Sequence, residues 1–202
     1  ITSTNISTRD FQWQSTLNFS HNSNKLLKLN FNGNQLADIN SGAKYYEEGK
    51  AAAQFYLYEW AGVDPQTGNP LWRYADGTLS TTPPGANFAN STANRVTCGT
   101  GMPKIYGGLT NNFTYKDWEL GFLFTFSYGG KLMNGTRAKL LEYSTPTTAN
   151  NLSKEIMTMW QVEGQVTDIP KLNNASIING SDYAVGLTTR FLEKSSYLRL
   201  KN

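Results

Sequence analysis

The sequence predicts an all-β fold: an antiparallel meander of long β-hairpins with long polar connections and one short helix. Three observations carry this. Residues 105–128 form two arms of about ten to eleven residues that alternate in polarity with period two. A second alternating segment occupies the start of the chain. The composition, 39% hydrophobic but only 16% charged with negative mean hydropathy, suits a sheet wetted on one side.

The hairpin is the most informative element. In its second arm Trp118, Leu120, Phe122, Phe124, Phe126 and Tyr128 share one face, and Glu119, Gly121, Leu123, Thr125 and Ser127 share the other. In its first arm Ile105, Gly107, Leu109, Asn111, Phe113 and Tyr115 alternate with Tyr106, Gly108, Thr110, Asn112, Thr114 and Lys116. About ten residues is what a tilted strand needs to cross a bilayer, and the apolar run begins and ends on amphipathic aromatics. The expectation is that Trp118, Leu120, Phe122, Phe124, Phe126 and Tyr128 face lipid. Strands buried in soluble sandwiches are usually shorter, and their inner faces mix β-branched residues with aromatics.

At the start of the chain, Phe11, Trp13, Ser15, Leu17 and Phe19 alternate with Gln12, Gln14, Thr16, Asn18 and Ser20. A loop at His21–Asn24 follows, and Leu27, Leu29 and Phe31 resume the pattern as a return strand. The Lys116–Asp117 pair closes the central hairpin. Short turns on one side and long connections on the other is the asymmetry of outer-membrane barrels. From Gly33 to about Ala53 the pattern weakens. Gln54–Trp60 reads as an aromatic strand, and Gly62–Pro70 as a turn cluster. Leu71–Tyr74, Asp76-Gly77 and Thr78 onward read as a small hairpin, and residues 80–103 as loop. Residues 129–189 form a long connection carrying one helix, from Ser153 as N-cap through Trp160.

Net charge is +3, with no basic run, so nucleic acid is not an expected partner. Cys98 is the sole cysteine and cannot form an internal disulfide. No apolar run reaches the length of a transmembrane helix. The chain opens at Ile1 and stops at Asn202 inside strand-like alternation, so it reads as a piece of something longer.

No catalytic or metal-binding set emerges. There is no nucleophile elbow, and Gly129-Gly130-Lys131 lacks the rest of a phosphate loop. His21 sits in a turn. Glu47-Glu48 would point to opposite faces of a strand, which defeats shared acid–base work, and Glu59 with Asp64 is the remaining grouping. No enzyme activity and no cofactor are expected. Tyr58, Trp60, Trp72 and Tyr74, with Tyr56, could offer stacking faces to sugar rings. The favoured alternative is a packed cluster that holds the turn at residues 64–70.

Five segments together resemble the SusC/RagA family of TonB-dependent outer-membrane transporters. They are DFQWQSTLNFSHNSNKLLKL (10–29), QFYLYEWAGVDPQTGNPLW (54–72), PKIYGGLTNNFTYKDWELGFLFTFSYGGKLMN (103–134), WQVEGQVTDIPK (160–171) and RFLEKSSYLRLKN (190–202). Order and rough spacing agree over nearly the whole chain. The resemblance implies a segment of a twenty-two-strand barrel in the outer membrane of a Gram-negative bacterium. It makes residues 1–202 a partial barrel domain, without the plug and last strands, and residues 129–189 a long extracellular loop. It further implies import of glycans or peptides with a SusD-like lipoprotein, powered by TonB through the missing N-terminal part. A soluble secreted β-sandwich that binds carbohydrate is the alternative. The two differ in whether Phe122, Phe124 and Phe126 meet lipid or a second sheet.

Overall fold

In a computed structural model of the chain, the long strands form where the alternation just described places them. The structure describes residues 1–31, 34–35, 39–41, 44–81, 94–141, 151–171 and 188–202. In chain order the strands are β1 (Thr2–Ser7), β2 (Phe11–His21), β3 (Asn30–Phe31), β4 (Asn34–Gln35), β5 (Ile39–Ser41), β6 (Lys44–Tyr46) and β7 (Gln54–Val63). Then come β8 (Pro70–Arg73), β9 (Leu79–Ser80), β10 (Arg95–Thr100), β11 (Ile105–Tyr115), β12 (Trp118–Tyr128) and β13 (Lys131–Met133). A short helix, α1 (Gly135–Leu140), and two 3₁₀ turns, Lys154–Thr158 and Thr189–Phe191, precede β14 (Leu192–Lys194) and β15 (Tyr197–Leu200). The chain divides into two compact units, one of residues 1–25, 100–132 and 194–202, the other of residues 26–99 and 133–193.

The first unit is a five-stranded antiparallel sheet in the order β1-β2-β11-β12-β15. β11 is its axis: Ile105 pairs with His21 and Tyr128, Leu109 with Leu17 and Phe124, and Tyr115 with Phe11 and Trp118. Because β11 keeps full register with both neighbours, like faces meet like across the sheet. The β11–β12 reversal is two residues, Lys116-Asp117, with Lys116 at φ 52°. The β1–β2 reversal spans Thr8–Asp10, and Thr8 closes it by donating its hydroxyl to the Phe11 carbonyl, 2.9 Å away. Both short reversals lie at one end, where Lys116 N–H donates to the Asp10 carbonyl.

Here the structure corrects the sequence reading. β2 does not fold back on Leu27, Leu29 and Phe31; its partners are β1 and β11. Past His21 the chain is held toward β11, since Asn22 N–H donates to the Lys104 carbonyl at 2.9 Å. Alternation sets which face a strand presents, and it does not choose the neighbour.

In the second unit, β5 to β9 form a sheet in sequence order, and β10 also pairs with β7. The small hairpin with the Asp76-Gly77 turn forms as expected: Tyr74 N–H donates to the Thr78 carbonyl, and Gly77 sits at φ 86°. β10 falls within the stretch read as loop. Its β-branched Val96 and Thr97 favour a strand, but Pro, Gly and Asn outweigh them across residues 80–103. Within that stretch residues 82–93 lie outside the described residues, as do 142–150 and 172–187 further on.

The connection from 129 to 189 is less loop-like than its composition suggests. Asn134 caps α1, its side chain accepting from Arg137 N–H at 2.9 Å. Ala138 and Leu141 join Ile169 and Phe191 in a buried cluster, with Met133, Ile156 and Met159 packed against it. The helix expected over 153–160 is a 3₁₀ turn over Lys154–Thr158, with Ser153 as its cap. It ends early because Met159 turns extended, and the next residue, Trp160, lies flat against Gly68.

Candidate functional site

Two surfaces compete for function: the faces of the first unit's sheet and the aromatic group of the second. On one face of the sheet lie Phe11, Trp13, Ser15, Leu17 and Phe19 of β2, and Ile105, Gly107, Leu109, Asn111, Phe113 and Tyr115 of β11. The same face carries Trp118, Leu120, Phe122, Phe124, Phe126 and Tyr128 of β12 with Leu198 and Leu200 of β15. The opposite face carries Gln12, Gln14, Thr16, Asn18, Thr110, Asn112, Glu119, Thr125 and Arg199. One side is apolar and aromatic, and the other is mostly amide, hydroxyl and charge, with Leu123, Tyr106 and Tyr197 among them.

Rings tie the apolar face together. Trp13 stacks on Phe113 at 5.4 Å, Phe113 on Phe122 at 5.7 Å, and Phe122 meets Phe124 edge-on at 5.5 Å. Such pairs add about 0.5–1.5 kcal/mol each beyond area burial. Yet no interior is built over them. Trp118 is 79% exposed, Leu120 63% and Tyr128 65%, while Phe122, Phe124 and Phe126 are half-buried. Every buried hydrophobic side chain among the described residues belongs to the second unit. A sandwich covers such a face with its second sheet. Among the described residues this sheet has no such cover, and an apolar patch of this extent marks a surface that meets something other than water.

Glycine permits the closest approach on this face. A Cβ on Gly107 would lie 2.1 Å from the Asn18 carbonyl oxygen and 2.9 Å from the Phe126 ring. The bare backbone lets β2 and β11 draw together while Phe126, its cross-strand partner, covers the gap.

The candidate stacking residues fare differently. Tyr58 and Trp72 are completely buried, with Trp60 and Tyr74 packed around them. Trp60 meets Trp72 edge-on at 5.3 Å, and its indole N–H donates to the Asp168 carboxylate at 2.8 Å. The Arg190 guanidinium lies 4.8 Å over the Trp60 ring and donates to the Asp168 carbonyl. In this arrangement Tyr58 and Trp72 present no ring face to a ligand, whereas Trp60 and Tyr74 stay half-exposed.

The turn over residues 64–69 is fixed separately. The Asp64 carboxylate accepts from the Thr67 hydroxyl and the Gln66 N–H, which hold it below the usual carboxylate range. Trp160 covers the turn, and its indole N–H donates to the Pro65 carbonyl at 2.9 Å. A Cβ on Gly68, at φ 72°, would meet the Trp160 ring at 2.4 Å. In the sequence Trp160 marks the end of the expected helix and shows no partner. The long separation between residues 68 and 160 hides that pairing.

Chemistry is sparse. No group of three His, Cys, Asp or Glu side chains that could hold a metal occurs among the described residues. Glu59 is engaged by Arg73 at 3.1 Å, and Asp64 by its own turn.

No protein-family model matches the chain. TonB-dependent receptor P3 of Formosa agariphila is 31% identical over 219 residues, spanning 100% of this chain and 20% of that protein. TonB-dependent receptor P26 of the same organism is 24% identical over 221 residues, with the same coverage. Among solved structures, that of the RagAB peptide transporter superposes with TM-score 0.76 at 25% identity, covering 99% of this chain and 21% of that one. The RagAB peptide importer in its closed-closed state gives 0.77 at 25% identity, with the same coverage. The chain thus spans about a fifth of the length of the curated relatives it matches. These relatives are described as receptors and transporters. With two-faced strands, short turns at one end and long connections at the other, the chain is similar over its whole length to a β-barrel segment of TonB-dependent receptors and has the fold of that segment.

Proposed function

We propose that this segment forms part of the barrel wall of an importer in the outer membrane of a Gram-negative bacterium. The observation that carries this is the five-stranded sheet whose aromatic face has no cover among the described residues while its reverse is mostly polar. In a bilayer the aromatic face meets hydrocarbon and the polar face lines a wet lumen. Trp118, Leu120, Phe122, Phe124, Phe126 and Tyr128 are then lipid-facing, with Trp118 and Tyr128 at the two headgroup layers. Backbone polar groups of β11 are satisfied by ladders on both sides along its length, as a spanning strand requires.

On this reading the short turns Thr8–Asp10 and Lys116-Asp117 face the periplasm, and residues 26–99 and 129–189 project outside the cell. The whole receptor imports glycans or peptides, working with a SusD-like lipoprotein and drawing on TonB through parts outside this segment. A relative described as a peptide transporter supports the peptide class. Trp60 and Tyr74 are the candidate stacking residues that remain half-exposed, packed around the buried Tyr58 and Trp72.

The test is fractionation of the intact parent receptor. It should sediment with outer membranes and need detergent for extraction, and recovery as a soluble periplasmic monomer overturns the assignment. Growth of a deletion strain on defined peptides or glycans as sole carbon source then separates the two substrate classes.

A further inference from the structure

The apolar face contains one anomaly at the middle of its strands. Asn111 is 6% exposed, opposite Ser15 on β2 and Phe122 on β12. Its Oδ1 accepts from the Ser15 hydroxyl at 2.6 Å and from the Trp13 indole N–H at 3.0 Å. The Ser15 oxygen in turn accepts from Asn5 Nδ2 at 2.7 Å. Asn5 lies where the β1–β2 register shifts, between Thr4 and Ile6. A hydrogen-bonded chain therefore runs Asn5, Ser15, Asn111, with Trp13 joining at the carboxamide, and it spans β1, β2 and β11.

The hydrophobic pattern explains neither these residues nor the register they occupy. A slip of one residue turns every apolar side chain to the wrong face and is excluded. A slip of two restores the faces, so alternation alone does not forbid it. After such a slip Asn111 stands opposite Trp13 or Leu17 and loses the Ser15 hydroxyl. On a face against hydrocarbon no water replaces that partner, and an unmatched amide is strongly disfavoured. Gly107 adds a steric check: its place against the Asn18 carbonyl tolerates no Cβ, and a two-residue slip delivers Ile105 or Leu109 there. A single buried asparagine fixes register in the same way in helical coiled coils, where it limits alternatives more than it adds stability.

We propose that Asn111 and Ser15, assisted by Asn5 and Trp13, form a register key that sets the alignment of β1, β2 and β11 within the apolar medium. This rests on the membrane reading above.

The test uses the full-length receptor in a cysteine-free background that includes Cys98→Ser. Thr110→Cys is paired with Thr16→Cys to report the native register, and with Gln14→Cys or Asn18→Cys to report a two-residue slip. Oxidative crosslinks are scored only in the membrane-embedded fraction. The unaltered key should give the native crosslink alone. Asn111→Leu should raise the slipped-to-native ratio at least about tenfold, matching loss of one buried polar match. Ser15→Ala should shift it in the same direction. The exchange Ser15→Asn with Asn111→Ser keeps a hydroxyl opposite a carboxamide and should restore the native crosslink. Equal ratios in the unaltered receptor, Asn111→Leu and Ser15→Ala overturn the key, as does slippage in the exchange variant equal to that of Asn111→Leu. Recovery of the unaltered receptor in the soluble fraction is a separate outcome, which removes the membrane reading itself.

Discussion

Single atoms decide several local structures in this chain. At Gly107 a methyl group is too much, because the Asn18 carbonyl oxygen would sit 2.1 Å from it and belongs to a paired backbone that cannot swing aside. Gly107→Ala should lower the stability of the folded receptor in lipid vesicles by about 1–3 kcal/mol, read from urea titration. An unchanged midpoint would show that the strands part without penalty. At Asp64 the Thr67 hydroxyl is the largest cause of its lowered pKa, followed by the Gln66 N–H. The carboxyl carbon shift should titrate below the ordinary 3.8, and Thr67→Ala should move the midpoint back toward that value. The sign follows: a carboxylate stabilised in the folded state supports its turn at pH above its ordinary value. That support is lost as pH falls through the lowered one. The turn at residues 64–69 was legible because Asp, Pro and Gly name their own conformations. Trp160 was not, because nothing near it in the chain reveals what lies beneath its ring.

Among the elements, β11 and β12 were readable in sequence to within a residue, since eleven alternating positions leave little freedom. β2 was equally plain, but its neighbour was misassigned: sequence adjacency favoured a local return strand, and the chain instead inserts residues 22–104 before pairing. The hidden α1 has only six residues and buries little beyond Ala138 and Leu141, so its periodicity is too brief to register. The two faces of β2 and β12 make a direct comparison possible. Phe124→Arg places a charge on the aromatic face and should cost roughly 2–4 kcal/mol of folding free energy in a bilayer. Gln14→Arg, on the polar face, should change it by no more than about 0.5 kcal/mol. Equal effects from the two substitutions would contradict the assignment of faces.

For the molecule as a whole, the division of labour between units is the main lesson. Burial among the described residues is concentrated in residues 26–99 and 133–193, where Tyr58, Trp72, Phe191 and Leu57 are fully enclosed. The sheet unit relies on backbone ladders and ring contacts instead. Alternation rather than composition gave the class of this architecture, and a packed aromatic cluster around Tyr58 and Trp72 was expected; the cluster of Ala138, Leu141, Ile169 and Phe191 was not, because its residues lie far apart in sequence. Replacing residues 26–99 of the intact receptor by the equivalent stretch of a relative should leave heat-resistant migration of the barrel on gels unchanged. Loss of that behaviour would tie the sheet's folding to its insertion. All the large insertions leave from a single rim, while the opposite rim is closed by reversals of two or three residues. On the proposed membrane reading, contact surfaces for cargo can therefore be rewritten at that rim without redesigning the strands that cross the bilayer.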